Sequence, residues 1–240
     1  MSSNLVIIPT YNEKENIANI IRAVFDLKVD FDVAVVDDNS LDGTASIVEN
    51  LQTEFPDRLH LLKRPGKLGL GTAYIKGFKY GLEKGYSYIY EMDADFSHDP
   101  KDLVRMYDLL STNKADVVVG SRYVKNGQVV NWPLGRKLIS YGGSLYTRII
   151  TLMPVKDPTA GFVGYSSEVL SSMDLNKVHF VGYAFQIQMK FKARQKGFKI
   201  VEIPIIFKDR EEGTSKMSGG IVKEAALGVI IMKWKSLFGE

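Results

Sequence analysis

Two aspartates, two residues apart, end an apolar-rich run in this chain: Tyr88-Ile89-Tyr90-Glu91-Met92-Asp93-Ala94-Asp95. In an extended strand, positions i and i+2 share a face, roughly 6–7 Å apart. Carboxylates held side by side repel each other and resist burial, so a cation is expected between or beyond them. A hard divalent ion, Mg2+ or Mn2+, joining Asp93 and Asp95 to the phosphates of a nucleotide meets that need. The plainer account is a polar turn before a helix. Asp99-Pro100-Lys101-Asp102 has the form of a helix start, with Asp99 as cap and Pro100 at the first helical position. That account covers Asp99 and Asp102 and leaves Asp93 and Asp95 unexplained.

The hydropathy pattern supplies elements to carry these residues. Apolar runs over Leu5–Pro9, Val33–Asp37, Arg58–Lys63, Tyr86–Met92 and Asp116–Gly120 read as strands. Helical spacing predicts helices over Lys14–Phe25, Thr44–Leu51, Gly71–Lys84 and Pro100–Ser111. This alternation specifies an α/β fold, a mostly parallel sheet with helices on both faces. The second half is less regular, with helices over Arg136–Leu152 and Ala184–Lys196 and a strand over Gly161–Tyr165. Pro204 suits an edge position for the strand Ile200–Phe207. Asp209–Gly220, rich in glycine, serine and charge, reads as a mobile loop, and a last helix starts near Ile221.

In an open parallel sheet, ligands bind beyond the carboxyl ends of the strands. Polar residues gather at those ends here. Strand one runs into Pro9-Thr10-Tyr11-Asn12-Glu13 and strand two into Asp37-Asp38-Asn39-Ser40. Strand four runs into Asp93-Ala94-Asp95 and strand five into Gly120-Ser121-Arg122-Tyr123. Turn or capping chemistry explains each alone, but must be invoked four times. Rival chemistries find little support. The turn after strand one has no glycine, and Gly69-Leu70-Gly71 is only a partial dinucleotide fingerprint. No P-loop and no Gly-x-Ser-x-Gly elbow occurs.

Composition narrows the partners. At 240 residues, with 45% apolar and 25% charged residues, the chain suits one large soluble α/β domain, alone or with a small appendage. With no cysteine, disulfides and thiolate chemistry are excluded. A net charge of +3 makes a weak case for nucleic acid, and none is expected as a partner. Positive charge clumps in Lys190–Lys199 and around Lys208–Lys216. Such clusters suit a phosphate-bearing partner or an anionic membrane; for the first, a solvated helix face serves as well. Met1-Ser2-Ser3-Asn4 does not begin a secretion signal, and no stretch nears the ~20 apolar residues of a spanning helix. Ala225–Met232, followed by Lys233-Trp234-Lys235, suits either an interfacial helix or packing on the core.

These residues resemble a known family. Pro9-Thr10-Tyr11-Asn12-Glu13, the run from Val36-Asp37-Asp38 to Gly43-Thr44, and Asp93-Ala94-Asp95 are similar to the inverting nucleotide-sugar glycosyltransferases of the GT-A fold. Gly120-Ser121-Arg122-Tyr123, Asn131-Trp132-Pro133-Leu134-Gly135-Arg136, Asp157–Phe162 and Asp209–Lys216 narrow the resemblance to dolichyl- or polyprenyl-phosphate mannose synthases. The resemblance spans nearly the whole chain.

It implies a catalytic domain over residues 1–220 and a C-terminal helix over 221–240 suited to a membrane interface, without a transmembrane domain. The donor would be GDP-mannose, with UDP-glucose or a non-catalytic nucleotide-sugar-binding module as alternatives. The acceptor would be a polyprenyl monophosphate at the cytoplasmic face of a membrane, reached peripherally or through a membrane-protein partner. Pro9, Tyr11, Glu13, Val36 and Asp38 would line the base and ribose pocket, with Lys67 and Gly71 near the nucleotide. Asp93 and Asp95, helped by Ser97 where some relatives carry glutamine, would hold Mg2+ or Mn2+ on the diphosphate. Arg122 and Arg136 would grip the acceptor phosphate bidentately, with Ser140 donating a further hydrogen bond. Arg210 and Lys216 would close over the diphosphate. Asp157 suits either the sugar pocket or a turn before Pro158. Gln186-Ile187-Gln188 stands where relatives often show Gln-x-Glu, which removes one acid.

Overall fold

The computed structural model describes residues 2–178, 180, 182–209 and 219–238. The first half alternates as its hydropathy requires: β1 (Asn4–Thr10), α1 (Ile17–Phe25), β2 (Asp32–Asp37), α2 (Thr44–Glu54), β3 (Leu59–Lys63), α3 (Leu70–Glu83), β4 (Tyr88–Glu91), α4 (Asp102–Ser111) and β5 (Val117–Ser121). There follow β6 (Gln128–Val130), α5 (Leu134–Thr151), β7 (Val163–Ser166), α6 (Ser167–Ser171), α7 (Tyr183–Gln195), β8 (Ile200–Pro204), β9 (Ile206–Lys208) and α8 (Gly219–Phe238).

Seven strands form one sheet in the order β3-β2-β1-β4-β7-β5-β8. β7 is antiparallel to both of its neighbours, and the other pairings are parallel. This reversal brings the loop that enters β7 to the edge where the parallel strands end. Residues 157–161 therefore join the site edge although they precede their strand.

Successive strand residues face opposite layers. Val6 and Ile8 of β1 pack with α1, α2 and α4 through Ile17, Val48, Leu103 and Met106. Leu5 and Ile7 pack on the other face with Tyr74, Phe78 and Phe185 of α3 and α7. The approach of α3 to the sheet depends on missing side chains. A Cβ on Gly77 would lie 2.6 Å from Ile7 Cγ2, and one on Gly81 2.6 Å from Ile89 Cδ1. A third cluster joins α8 to α7 through Val229, Met232, Ile187 and Phe191, so the last helix packs on the core along one face.

Several expectations change. The run Ile200–Phe207 is two strands: β8 ends at Pro204 on the sheet edge, and Ile205 N–H donates to Ser121 O at 3.1 Å. β9 then pairs in parallel with β6, which was too short to show in the apolar pattern. The basic cluster Lys190–Lys199 is not one solvated face, because Lys190 is fully buried while Arg194 and Lys196 are exposed. α8 begins at Gly219, inside the expected loop; Arg210 and Lys216 lie outside the described residues. Among the described residues, no helix is long and apolar enough to cross a membrane.

Alanine is ordinarily a better helix former than glycine by about 1 kcal/mol. At Gly77 the collision with Ile7 outweighs that gain, so Gly77→Ala should lower stability by about 1–3 kcal/mol. A denaturant titration showing an unchanged or higher midpoint would contradict this packing.

Candidate active site

The ends of β1 and β2 are tied together by Asp37. Its carboxylate accepts from Thr10 Oγ1 at 2.9 Å, Ser40 Oγ at 2.6 Å and Ser40 N–H at 3.0 Å. Asn12 and Asn39 take left-handed backbone conformations, with φ of 56° and 59°; asparagine tolerates that region better than most residues. This knot leaves Pro9, Tyr11 and Glu13 partly exposed at the sheet edge. Lys67 reaches across with its ammonium 4.8 Å from the Tyr11 ring centroid, a cation–π contact.

Asp38 is buried, and Arg64, which the motif reading passed over, faces it at 3.0 Å as an ion pair without hydrogen-bond alignment. Burial raises the Asp38 pKa, against the opposing pull of Arg64 and the Leu68 N–H. Arg64 also donates to Thr72 Oγ1 at 2.6 Å, joining β3 to α3. Its signal was one more polar residue at a strand end. Two expected ligand residues also serve packing. Val36 is fully buried in the core, so its side chain has no surface for a ligand. A Cβ on Gly71 would lie 2.7 Å from Phe180 O and 2.8 Å from Phe185 Cγ, so its close approach is to the polypeptide. Gly69, at φ 98°, is the glycine whose backbone needs the residue type.

β4 ends at Glu91, and Asp93 and Asp95 follow it in a loop rather than in the strand. Ser97 N–H donates to Asp95 Oδ1 at 3.1 Å, orienting that carboxylate. Tyr74 hydroxyl approaches Asp93 Oδ1 at 3.5 Å from α3. His98 stacks on Phe162 at 4.8 Å; burial, aided by Arg122, brings its pKa down to about 4, with Asp95 opposing, so it is neutral at pH 7. Oxygen donors of this kind fit a hard divalent cation. Among the described residues no three histidine, aspartate or glutamate side chains converge as a ligand set. An ion there would take the rest of its shell from substrate and water.

The other end of the site edge is organised by a buried ion pair. Arg122 Nε and Nη2 each donate to Asp157 at 2.7 Å, its own N–H adds a third bond at 3.0 Å, and Nη2 reaches Thr159 Oγ1 at 2.9 Å. Asp157 is fully buried. Burial tends to raise its pKa, but the Arg122 charge and hydrogen bonds outweigh this and hold it below the usual carboxylate range. The bidentate edge of Arg122 expected to meet a phosphate is thus occupied by Asp157 in this structure. Arg136, in the first turn of α5, sits 4.0 Å from the Trp132 ring centroid, and its Nη1 contacts both Asp209 oxygens at 3.0 and 3.1 Å. Arg122 meets the same indole at 5.7 Å. Ser140 accepts from Tyr123 hydroxyl at 2.7 Å, and its own proton remains to donate.

Behind the site lies a polar floor. Glu91 is fully buried, takes a hydrogen bond from Gln186 Nε2, and its pKa is pushed up by burial to about 8. Lys190 is also fully buried, and burial brings its pKa down to about 8. Glu202 Oε2 and Oε1 accept from Lys156 N–H at 2.7 Å and Asp157 N–H at 2.9 Å.

The sheet carries paired aspartates and two arginines along one edge. The family model described as glycosyl transferase family 2 matches residues 5–173. The chain is 46% identical over 237 residues to an undecaprenyl-phosphate mannosyltransferase of Micrococcus luteus, covering 97% of this chain and 96% of the relative. It is 45% identical to a polyprenol monophosphomannose synthase of Mycolicibacterium smegmatis, covering 94% and 84%. The chain belongs to glycosyl transferase family 2, within the group of polyprenyl-phosphate mannose synthases. The fold matches glucosyl-3-phosphoglycerate synthase of Mycobacterium tuberculosis, solved with Mn2+ and UDP, with TM-score 0.72 and 17% identity over 96% of this chain and 80% of that one. A mannosyltransferase of Pyrobaculum calidifontis, solved with GDP-Man and Mn2+, matches with TM-score 0.61 and 15% identity over 98% and 74%.

Breaking a buried ion pair from one side leaves an uncompensated charge and costs about 3–5 kcal/mol. Asp157→Asn should cost that much at neutral pH. The folded-state pKa of Asp157 is depressed, so its contribution is present above the unfolded value of about 3.9 and is lost as pH falls through the folded one. Acid titration of stability should therefore be shallower below about pH 4 in Asp157→Asn than in the parent. Parallel curves would exclude the linkage.

Proposed function

We propose that this glycosyltransferase moves mannose from GDP-mannose to a polyprenyl monophosphate, with inversion and with a divalent metal. The observation that carries this reading is the pair Arg122 and Arg136 on the Trp132 indole, along the same sheet edge as Asp93 and Asp95. One end suits a metal-bound diphosphate and the other a phosphate acceptor. The names of the two relatives support mannose and a polyprenyl phosphate, and the Pyrobaculum complex supports GDP-mannose.

Tyr11, Lys67 and the Asp38 region would receive the nucleoside, with Pro9 and Glu13 beside them. Asp93 and Asp95, with Ser97 behind, would hold Mg2+ or Mn2+, which when bound acts as a Lewis acid on the departing diphosphate. The acceptor phosphate is already anionic at pH 7. No strong general base is required. Its oxygen attacks the anomeric carbon from the face opposite the diphosphate, the sugar–phosphate bond breaks, and the electron pair leaves with GDP. An α-linked donor gives a β-linked product. Arg136 is the better clamp, because a phosphate can replace Asp209 and keep the guanidinium paired. Arg122 keeps Asp157 and contributes its positive field, while Ser140 donates to a phosphate oxygen. Arg210 and Lys216 are proposed to meet the diphosphate.

The membrane reading draws on α5, whose amphipathicity is inverted. Its buried positions are Ser144, Thr147 and Thr151. Leu134, Leu138, Tyr141, Leu145, Ile149 and Leu152 are exposed at helical spacing along its length. In α8, Leu227, Ile230, Ile231 and Trp234 are exposed opposite the packed Val229 and Met232. Tyr146 hydroxyl donates to Ala226 O at 3.0 Å and joins the two helices. Together they suit peripheral contact at the cytoplasmic leaflet beside Arg136.

Transfer of radiolabelled sugar from a panel of nucleotide sugars to a short polyprenyl phosphate tests the activity. GDP-mannose should be preferred, and chelator, Asp93→Asn or Asp95→Asn should each cut the rate by about 100-fold or more. Arg136→Ala should raise the acceptor KM about 10- to 100-fold. Preference for UDP-glucose, or donor binding without transfer, would defeat the reading. For the membrane contact, Leu138→Glu with Ile149→Glu should abolish flotation with anionic vesicles while leaving the fold intact. Undiminished flotation would remove α5 from the contact.

A further inference from the structure

Lys190 has no part in the reaction just described, yet it carries a charge inside the protein. It projects from α7 one turn beyond Gln186 and is fully buried. Its Nζ donates to Ala160 O at 2.7 Å, Gln186 O at 3.2 Å and Gln186 Oε1 at 3.2 Å. Those acceptors use all three protons of an ammonium group. Gln186 is thereby oriented, its amide oxygen toward Lys190 and its nitrogen toward Glu91.

The turn that Lys190 holds is the one that carries Asp157. Ala160 N–H donates back to Asp157 O at 3.2 Å, and Glu202 takes the N–H groups of Lys156 and Asp157. Ala160, Gly161, Arg122, His98 and Phe207 line a small cavity at this point. The turn is therefore held at its start by Glu202, through its side chain by Arg122, and at its end by Lys190. An apolar residue at 190 would leave Ala160 O and Gln186 Oε1 buried without this donor.

We propose that Lys190 is a positioning residue for the acceptor end of the site: its ammonium fixes the Asp157–Gly161 turn and, through Asp157, aims Arg122. The inference rests on the proposed function only in naming what Arg122 faces. Stability alone would be a different role. It would be satisfied once both buried titratable groups were replaced, whereas the Ala160 carbonyl would still lack its donor.

Two full-length variants separate these roles, Lys190→Met and the double variant Lys190→Met with Glu91→Gln. The readouts are the 15N–1H signal of Arg122 Nε, thermal stability, and the two KM values. In Lys190→Met the Arg122 signal should shift or broaden, and the KM for polyprenyl phosphate should rise about 10-fold or more, with the KM for GDP-mannose within about twofold. The double variant should recover thermal stability but keep the altered Arg122 signal and the raised acceptor KM. If the single variant does not fold, the double variant supplies the same readouts. An unchanged Arg122 signal in a folded variant, or full return of the acceptor KM in the double variant, overturns the proposal. If the parent transfers no sugar to a lipid phosphate while the Arg122 signal still answers to Lys190, the proposed function fails and the coupling stands.

Discussion

The buried pair of Arg122 and Asp157 is the interaction on which one end of the site edge depends. Removing a guanidinium and a carboxylate from water costs several kcal/mol per ion, which only good geometry and further hydrogen bonds can offset. The neighbourhood supplies both. The two side chains meet through two bonds of 2.7 Å, Arg122 adds its backbone N–H and Thr159, and Glu202 fixes the backbone of Asp157. The rings of Tyr123, Trp132 and Phe207 lie 5.2–5.7 Å from the guanidinium. The pair joins the end of β5 to the loop that enters β7, two segments 35 residues apart in sequence. That junction exists only because β7 runs against its neighbours.

The end formed by β1 and β2 is built differently. Asp37 accepts from Thr10 and Ser40 and ties neighbouring parallel strands at their ends. Asp38 next to it faces Arg64 at the end of β3. One aspartate makes the turn and the next is buried against an arginine. Adjacent identical residues thus take different partners because strand geometry sends their side chains in opposite directions.

A site that must meet a water-soluble donor and a lipid acceptor needs two kinds of surface close together. Arg136 stands in the first turn of α5, and the exposed leucines and isoleucines of that helix continue away from it. The buried threonines satisfy their hydroxyls on their own helix: Thr147 donates to Gly143 O at 2.9 Å and Thr151 to Thr147 O at 2.6 Å. Two of the three buried hydroxyls on the inward face are thus satisfied within the helix, and Ser144 Oγ is the one that is not. Turning that face inward releases the apolar face for a non-aqueous neighbour.

How much of this was legible in one dimension follows from the range of each interaction. The alternation of β1 to β5 with α1 to α4 is local, since strand and helix periods are carried by neighbouring side chains, and the sequence was enough for it. Asp93, Asp95 and Arg122 were visible as polar groups at strand ends, and Arg136 at a helix start. A motif does not reveal which side chains face the core, and the burial of Val36 and the contact of Gly71 with Phe185 needed the fold. Lys190 looked like part of a basic helix face, and its burial depends on Ala160, 30 residues away. β9 needed β6 as a partner before it could be told from β8. The sequence by itself determined the α/β class, the family and the residue types able to bind phosphate and metal. Only the tertiary structure decided which charges are already paired, because pairing depends on distances that chain order does not encode.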